Sequence, residues 1–137
     1  MNETERERFF NALLRRPSTR KQAEEFLSRQ NLTDDDRESL MSEAEDTGLI
    51  DDGAFARLFT EGHLQWGSLK IAHELSVRGV SREDIACALE ESEDESERAH
   101  ELAESWRKGG IEERKIQTRL LSRGFTNRAI REALSKL

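Results

Sequence analysis

Apolar residues recur through most of this chain at the spacing of an amphipathic α-helix. Ile71 and Leu75 lie four positions apart on one helical face, and Ile85, Ala88 and Leu89 share a face further along. No stretch shows the sustained alternation of apolar and polar residues that is typical of a β-strand. The pattern therefore predicts an all-α fold.

The pattern of residues 70–89 returns 45 positions later in residues 115–134. The sequence Arg-Gly-Val-Ser at 78–81 corresponds to Arg-Gly-Phe-Thr at 123–126, and a more divergent copy lies upstream at residues 23–41. A fixed period over unlike residue types indicates a repeat protein. We predict three tandem three-helix repeats, in residues 1–48, 49–91 and 92–137.

Each repeat contains a sharp corner between two helices. Gly79 and Gly124 stand where a helix ends in the left-handed conformation, which glycine adopts without strain. Ser81 and Thr126 then follow as N-caps of the next helix. In the first copy Asn31 replaces the glycine, and we expect it to take the same conformation.

The remaining apolar positions predict the inner faces of the first helix of each repeat. Those faces comprise Phe9, Phe10, Leu13 and Leu14 in the first repeat, Phe55, Leu58 and Phe59 in the second, and Ala99, Leu102, Ala103 and Trp106 in the third. Ser18 is the expected cap of the second helix, and Cys87 is expected to be a small core residue. Trp66 either packs back onto its own repeat or contacts a partner.

Composition and charge limit the architecture. Only 34% of the residues are hydrophobic and 37% are charged, so stacked short units forming an elongated crescent are favoured over one thick core. Nine Lys or Arg and three acidic residues give residues 107–137 a net charge of +6. Residues 1–31 carry +2 and residues 32–106 carry −15, which together account for the net −7.

Several classes of function are disfavoured. The first residues lack the apolar core of a signal peptide and no apolar run could span a membrane, so we expect a cytoplasmic protein. His63, His73 and His100 are too scattered for a helical metal pair, and the acidic runs at 34–36 and 51–52 are explained by helix capping. We therefore expect no catalytic residue, no metal and no cofactor.

The order and spacing of short motifs resemble those of the RecX family over about residues 10–137. The residues that carry the resemblance are Gly48, Leu49, Ile50, Asp51, Asp52, Phe55, Ala56, Ile71, Glu74, Leu75, Gly79, Val80, Ala88, Leu89, Lys115, Ile116, Leu120, Arg123, Gly124, Phe125, Ile130, Ala133 and Leu134. The resemblance implies tandem three-helix repeats and a role as a regulator of the RecA recombinase. In the surface positions where such relatives tend to carry arginines, this chain has Thr60, Glu61, His63 and Gln65.

Three binding functions follow as hypotheses. The resemblance implies a protein that lies on the RecA nucleoprotein filament and inhibits its ATPase, its extension and strand exchange. The basic third repeat alternatively suggests a sequence-nonspecific nucleic-acid binder, although the acidic middle predicts weak binding to bare nucleic acid. A helical scaffold that binds a peptide is the remaining alternative.

The candidate partner-binding residues are the basic side chains of the second and third repeats together with one tryptophan. They are Lys115, Arg119, Arg123, Arg107, Lys108, Arg128, Arg131, Lys70, Arg78 and Trp66. The first three follow one side of a predicted helix at i, i+4 and i+8. We expect the protein to act as a monomer that binds no membrane.

Overall fold

The computed structural model describes residues 3–137, and these residues form nine α-helices. The helices are α1 (Glu3–Arg15), α2 (Arg20–Ser28), α3 (Asp34–Asp46), α4 (Asp52–Glu61), α5 (Ser68–Val77), α6 (Arg82–Glu91), α7 (Glu95–Lys108), α8 (Glu113–Ser122) and α9 (Asn127–Ser135). The all-α prediction is confirmed. The first two residues of the predicted first repeat lie outside the described residues.

The nine helices pack as three trios, α1–α3, α4–α6 and α7–α9. Each trio encloses its own small core, centred on Phe9 and Leu40 in the first, Ile71 and Leu75 in the second, and Phe125 with its neighbours in the third. Among residues 3–137, no hydrogen bond or ion pair joins the first trio to the third. The trios therefore follow one another in a row, as short stacked units do.

The two glycine corners have the predicted conformation. Gly79 and Gly124 have φ angles of 89° and 86°, and the residue after each donates its backbone N–H back into the preceding helix. The side chains of Ser81 and Thr126 accept hydrogen bonds from the first turn of the next helix. Both corners thus combine a glycine C-terminus with an N-cap, as expected.

The corner of the first trio is different, and the prediction for Asn31 is wrong. Within residues 3–137 no residue other than glycine has a positive φ. Three residues separate the C-cap Arg29 from the N-cap Thr33, whereas two separate the equivalent caps at the glycine corners. The extra residue lets the chain turn without a left-handed position.

Five further expectations require correction. Thr60, expected at a surface position, is fully buried, and its hydroxyl donates to the carbonyl of Ala56 at 2.8 Å. Thr19, and not Ser18, caps α2, because its side chain accepts from the N–H of Gln22 in a capping box.

Leu14 and Leu58 are 68% exposed, although both belong to predicted inner faces. Cys87 is also exposed, because it lies two positions after buried Ile85 and therefore about 200° around the helix.

The second helices of the trios meet end to end. At the start of α5, the backbone N–H groups of Gly67 and Leu69 donate to the carbonyl oxygens of Arg123 and Gly124 at 2.8 and 3.0 Å. At the start of α2, the hydroxyl of Thr19 donates to the carbonyl of Arg78 at 2.6 Å. Free donors of one helix thereby satisfy free acceptors of the next.

Candidate partner-binding surface

Trp106, near the end of α7, is the centre of the basic surface of the third trio. Its half-buried ring packs against the core of that trio, and the guanidinium groups of Arg119 and Arg123 lie 5.4 and 5.0 Å from its centroid. Cations at these distances are attracted to the face of an indole. Helical spacing placed Trp106 only on an apolar helix face and did not indicate that two of the candidate arginines converge on its ring.

Trp66 forms a second basic and aromatic cluster on the middle trio. The ammonium group of Lys70 lies 4.3 Å from its ring centroid, and the ring of His63 lies 4.1 Å away on another side. The partly buried indole packs against the core of its own trio, so the first of the two alternatives for Trp66 is confirmed. A partner contact by its remaining exposed surface stays a prediction.

Arg78 repeats on the middle trio the arrangement of Arg123 on the third. Each residue is the C-cap of the second helix of its trio, and each guanidinium lies over an aromatic ring of the first helix. For Arg78 the ring is that of Phe59, 4.9 Å away, and its Nη1 also donates to the carbonyl of Glu74 at 2.9 Å. Arg78 is thus more fully engaged by its own trio.

The two tryptophan clusters approach each other across the boundary between the trios. Nη1 of Arg123 lies 3.5 Å from both the carbonyl oxygen and the side-chain oxygen of Gln65, the neighbour of Trp66. Arg123 therefore touches the third trio through Trp106 and the middle trio through Gln65. We define the junction surface as Trp66, Lys70, Trp106, Arg119 and Arg123.

A buried arginine lies beneath the junction surface. Arg98, which is 4% exposed, donates from Nη1 to the carbonyl oxygens of Leu64 at 2.8 Å and of Trp66. Its guanidinium also lies 5.6 Å from the ring centroid of Phe125. Burial lowers the pKa of Arg98, while the carboxylate of Glu95 acts in the opposite direction. Arg98 fixes the loop that carries Trp66.

Glu95 makes a second link between the same two trios. Its Oε2 accepts hydrogen bonds from the backbone N–H and the hydroxyl of Ser68, both at 2.7 Å, and its Oε1 accepts from the hydroxyl of Thr126 at 2.9 Å. A carboxylate is favoured here because the N-termini of α5 and α9 both point at it. No sequence motif indicated this role for Glu95.

The other candidate residues are not gathered onto the junction surface. Lys115 is exposed on α8 and forms no ion pair with a described residue, whereas Lys108 pairs with Glu104 at 3.1 Å. The hydrogen bond from Lys108 holds the pKa of Glu104 below its usual value. Lys108 and Arg107 line a separate cavity of about 480 Å³ at the ends of α7 and α9.

Arg128 and Arg131 are exposed on α9 and are not among the residues that define the junction surface. Arg128 pairs with Glu132 at 3.1 Å. Within residues 3–137 no group of three His, Cys, Asp or Glu side chains is arranged to hold a metal ion. In the same part of the chain, no helix combines the length and apolar character needed to span a bilayer.

Comparison with known proteins identifies similar sequences and folds. Residues 51–89 match the profile of the RecX second three-helix domain. The regulatory protein RecX of Streptomyces coelicolor is 30% identical over 135 residues, a match that covers 88% of this chain and 72% of the relative. The regulatory protein RecX of Lactobacillus delbrueckii subsp. bulgaricus is 31% identical over 121 residues, covering 80% of this chain and 45% of that longer relative.

Two solved structures share the fold. RecX from Lactobacillus salivarius superposes with a TM-score of 0.82 at 23% identity, covering 99% of this chain and 98% of that chain. A second crystal structure of a regulatory protein RecX superposes with a TM-score of 0.76 at 21% identity, covering 95% of this chain and 70% of that one. The three-trio architecture is therefore the one found in these structures.

Proposed function

Because this chain belongs to the RecX family of regulatory proteins, we propose that it regulates the RecA recombinase by binding the RecA nucleoprotein filament. Bound protein inhibits filament extension, ATP hydrolysis and strand exchange. The observation that carries this proposal is the junction surface, where three cations and two tryptophans from different trios lie side by side. Tryptophan and arginine are the residues most enriched at the energetic centres of protein interfaces.

The distribution of charge supports an anionic binding partner. Residues 107–137 carry +6 while residues 32–106 carry −15, so the protein presents its basic end to an acidic or phosphate-bearing surface. Attraction of this kind raises the association rate and orients the encounter more than it raises final affinity. The acidic middle meanwhile opposes indiscriminate binding to nucleic acid.

The links beneath the surface supply preorganisation. Arg98 holds the carbonyls of Leu64 and Trp66, and Glu95 holds Ser68 and Thr126, so the two halves of the junction surface are fixed relative to each other before a partner arrives. A surface that is already ordered loses less conformational freedom on binding. The boundary between the middle and third trios is thus suited to act as one recognition element.

The proposal is tested by measuring RecA ATPase activity on single-stranded DNA while this protein is titrated. We expect hydrolysis to fall as the protein is added, and electron microscopy of the same samples to show shorter filaments. Unchanged hydrolysis and unchanged filament length at a large excess of the protein would contradict the proposal.

Nonspecific binding to nucleic acid is the second candidate function, and the net +6 of residues 107–137 favours it. The discriminating measurement is affinity for bare single-stranded DNA at physiological salt. Under the filament-binding proposal this affinity is weak, because the acidic middle repels phosphate, and it falls with added salt, because what binding remains is electrostatic. Nanomolar affinity for bare DNA would favour the second candidate.

A further inference from the structure

An apolar groove lies between the first and middle trios, away from the junction surface. Leu14 of α1 and Leu58 of α4 both line it, and each is 68% exposed. Buried Leu13 and partly buried Leu49 and Phe55 also contribute to its lining. Exposed leucines thus stand on both walls of one depression and make its surface largely apolar.

The size and chemistry of this Leu14–Leu58 groove match an apolar side chain better than a small polar ligand. Its volume is about 250 Å³, below the range of about 300–1,000 Å³ that is usual for ligand pockets. The polar side chains in its lining are already engaged: Ser18 donates its hydroxyl to the carbonyl of Arg16, and Asp51 accepts the N–H of Ala54. The groove thus offers mainly hydrophobic contact, with one carboxylate, that of Asp51, in its lining.

Exposed basic residues adjoin both exposed leucines in sequence, and Asp51, the charged residue of the lining, is the N-cap of α4. Arg15 and Arg16 directly follow Leu14, and Arg57 directly precedes Leu58; all three are exposed. Arg57 has one distant acidic partner, Glu91, at 3.9 Å. Basic neighbours around an apolar groove are complementary to an apolar segment that carries carboxylates.

A continuous row of rings connects the groove to the junction surface. Phe55 lines the groove and its ring lies 6.1 Å from that of Phe59, which stacks on His63 at 4.2 Å. His63 in turn contacts Trp66 at 4.1 Å. The two surfaces are therefore joined by one rigid flank of the middle trio, and a single extended partner is able to contact both.

We propose that the Leu14–Leu58 groove binds an apolar side chain, flanked by carboxylates, from the protein part of the filament. This inference rests on the proposed function and adds a second anchoring point to it. The junction surface provides electrostatic attraction, and the groove provides burial of apolar area that distinguishes the protein subunits from the DNA that they coat. Such an anchor acts mainly on the dissociation rate.

The test compares Leu14→Asp and Leu58→Asp with the unmodified protein in RecA ATPase assays on single-stranded DNA. Val77→Asp is the matched control, because Val77 is also an exposed apolar helix residue, at 55%, but lies on α5 outside the groove. We expect each leucine variant to raise the half-inhibitory concentration by about tenfold, an effect typical of an interface anchor, and the control to change it less than about twofold. Circular dichroism melting should match across all four proteins.

Raising the salt concentration distinguishes the contribution of the apolar groove from that of its basic neighbours. The loss of inhibition caused by Leu14→Asp should persist when the salt concentration is raised. A double variant, Arg15→Glu with Arg16→Glu, should inhibit less than the unmodified protein at low salt. This difference should shrink at high salt, because ions screen exposed charges. Affinity for bare single-stranded DNA should be the same for Leu14→Asp, Leu58→Asp and the unmodified protein.

The outcomes are distinguishable. If the unmodified protein fails to inhibit the ATPase, the proposed function is wrong and the groove proposal falls with it. If the unmodified protein inhibits and both leucine variants inhibit equally well, only the groove proposal is overturned. Loss of affinity for bare DNA in the leucine variants would also overturn it, because the groove would then serve nucleic acid and not protein.

Discussion

The backbone N–H of Gly67 donates to the carbonyl oxygen of Arg123 at 2.8 Å, so that α5 begins on the corner where α8 ends. The approach is close enough that a β-carbon on Gly67 would lie 2.1 Å from the backbone nitrogen of Phe125. The same corner presents the guanidinium of Arg123 to Trp106. Backbone packing between two trios therefore determines where a candidate binding residue stands.

Gly67→Ala should destabilise the protein by more than about 2 kcal/mol, because the new methyl group meets backbone atoms that cannot rotate away. Urea unfolding followed by circular dichroism measures the effect. The variant should also inhibit RecA less, since the start of α5 could no longer contact the corner that carries Arg123. A melting curve indistinguishable from that of the unmodified protein would show that the two trios do not meet as described.

Two other glycines are controls for this substitution. Gly110 has a φ of 87° and open space around it. Gly110→Ala should therefore lower the free energy of unfolding only by the strain of the left-handed conformation, about 1 kcal/mol. Gly53 lies inside α4, where an added β-carbon makes contacts of 3.4 Å or more. Gly53→Ala should stabilise the protein by about 0.5 kcal/mol.

Replacing Arg98 tests the link beneath the junction surface. Arg98→Met keeps much of the side-chain volume but leaves the carbonyls of Leu64 and Trp66 without their donor, and should cost about 2–3 kcal/mol. Arg98→Lys retains the charge without the planar fork and should recover only part of that loss. Equal stability of the Lys variant and the parent in urea unfolding would argue against the role assigned to the guanidinium.

On the basic face of α8, Lys115 should contribute to binding alone, whereas Arg119 and Arg123 should contribute to both binding and stability. Lys115→Glu should leave melting unaltered, since Lys115 is exposed and forms no ion pair with a described residue. It should still weaken RecA inhibition, because it removes part of the positive charge of residues 107–137 that attracts an anionic partner. Arg29→Glu, the same charge change on exposed residue 29 of the first trio, is the control and should inhibit normally.

Changing Lys115, Arg119 and Arg123 together to glutamate should reduce inhibition at least about tenfold. It should also lower stability by about 1 kcal/mol, because two of the three cations lie over Trp106. Equal inhibition by the triple variant and the parent would show that the junction surface does not contact the filament.

Acid should weaken the contact between α7 and α9 through Glu132. A hydrogen bond from the hydroxyl of Ser96, followed by one from Arg128, lowers the pKa of Glu132 in the folded protein. A group with a lowered folded pKa contributes its stabilisation above its unfolded value, near 4.5, and loses it as the pH falls through the folded value. Glu132→Gln should therefore reduce the melting temperature at pH 7 and make less difference near pH 3.

The sequence was sufficient for the parts of the fold that follow from local chemistry. The period of 45 residues predicted the trios, and Gly79 and Gly124 predicted the corners, because a left-handed residue followed by an N-cap is encoded within four positions. Asn31 failed as an analogue because one additional residue in its loop removed the need for that conformation. The prediction that Leu14 and Leu58 face the core was wrong, because helical spacing alone does not reveal where a neighbouring trio leaves a helix face uncovered.

The candidate surface was only partly predictable for a related reason. Arg119 and Arg123 were identified by their spacing on one helix, but their convergence on Trp106 depends on how α7 and α8 pack. Glu95 lies within the acidic run at 90–97, and Arg98 directly follows that run. Their partners are 27 to 34 residues away, so no local pattern marks them.

The end-to-end second helices also restrict how a chain of this kind can change in length. In each trio after the first, a carbonyl at the glycine corner accepts a hydrogen bond from the start of the second helix of the preceding trio. The carbonyl of Arg78 accepts from the hydroxyl of Thr19, and the carbonyl of Arg123 accepts from the N–H of Gly67. An insertion of a few residues inside a second helix would misalign these donors and acceptors, whereas a whole added trio would reproduce them. Growth by complete modules, with surface loops absorbing smaller insertions, is the mode of elongation that this geometry permits.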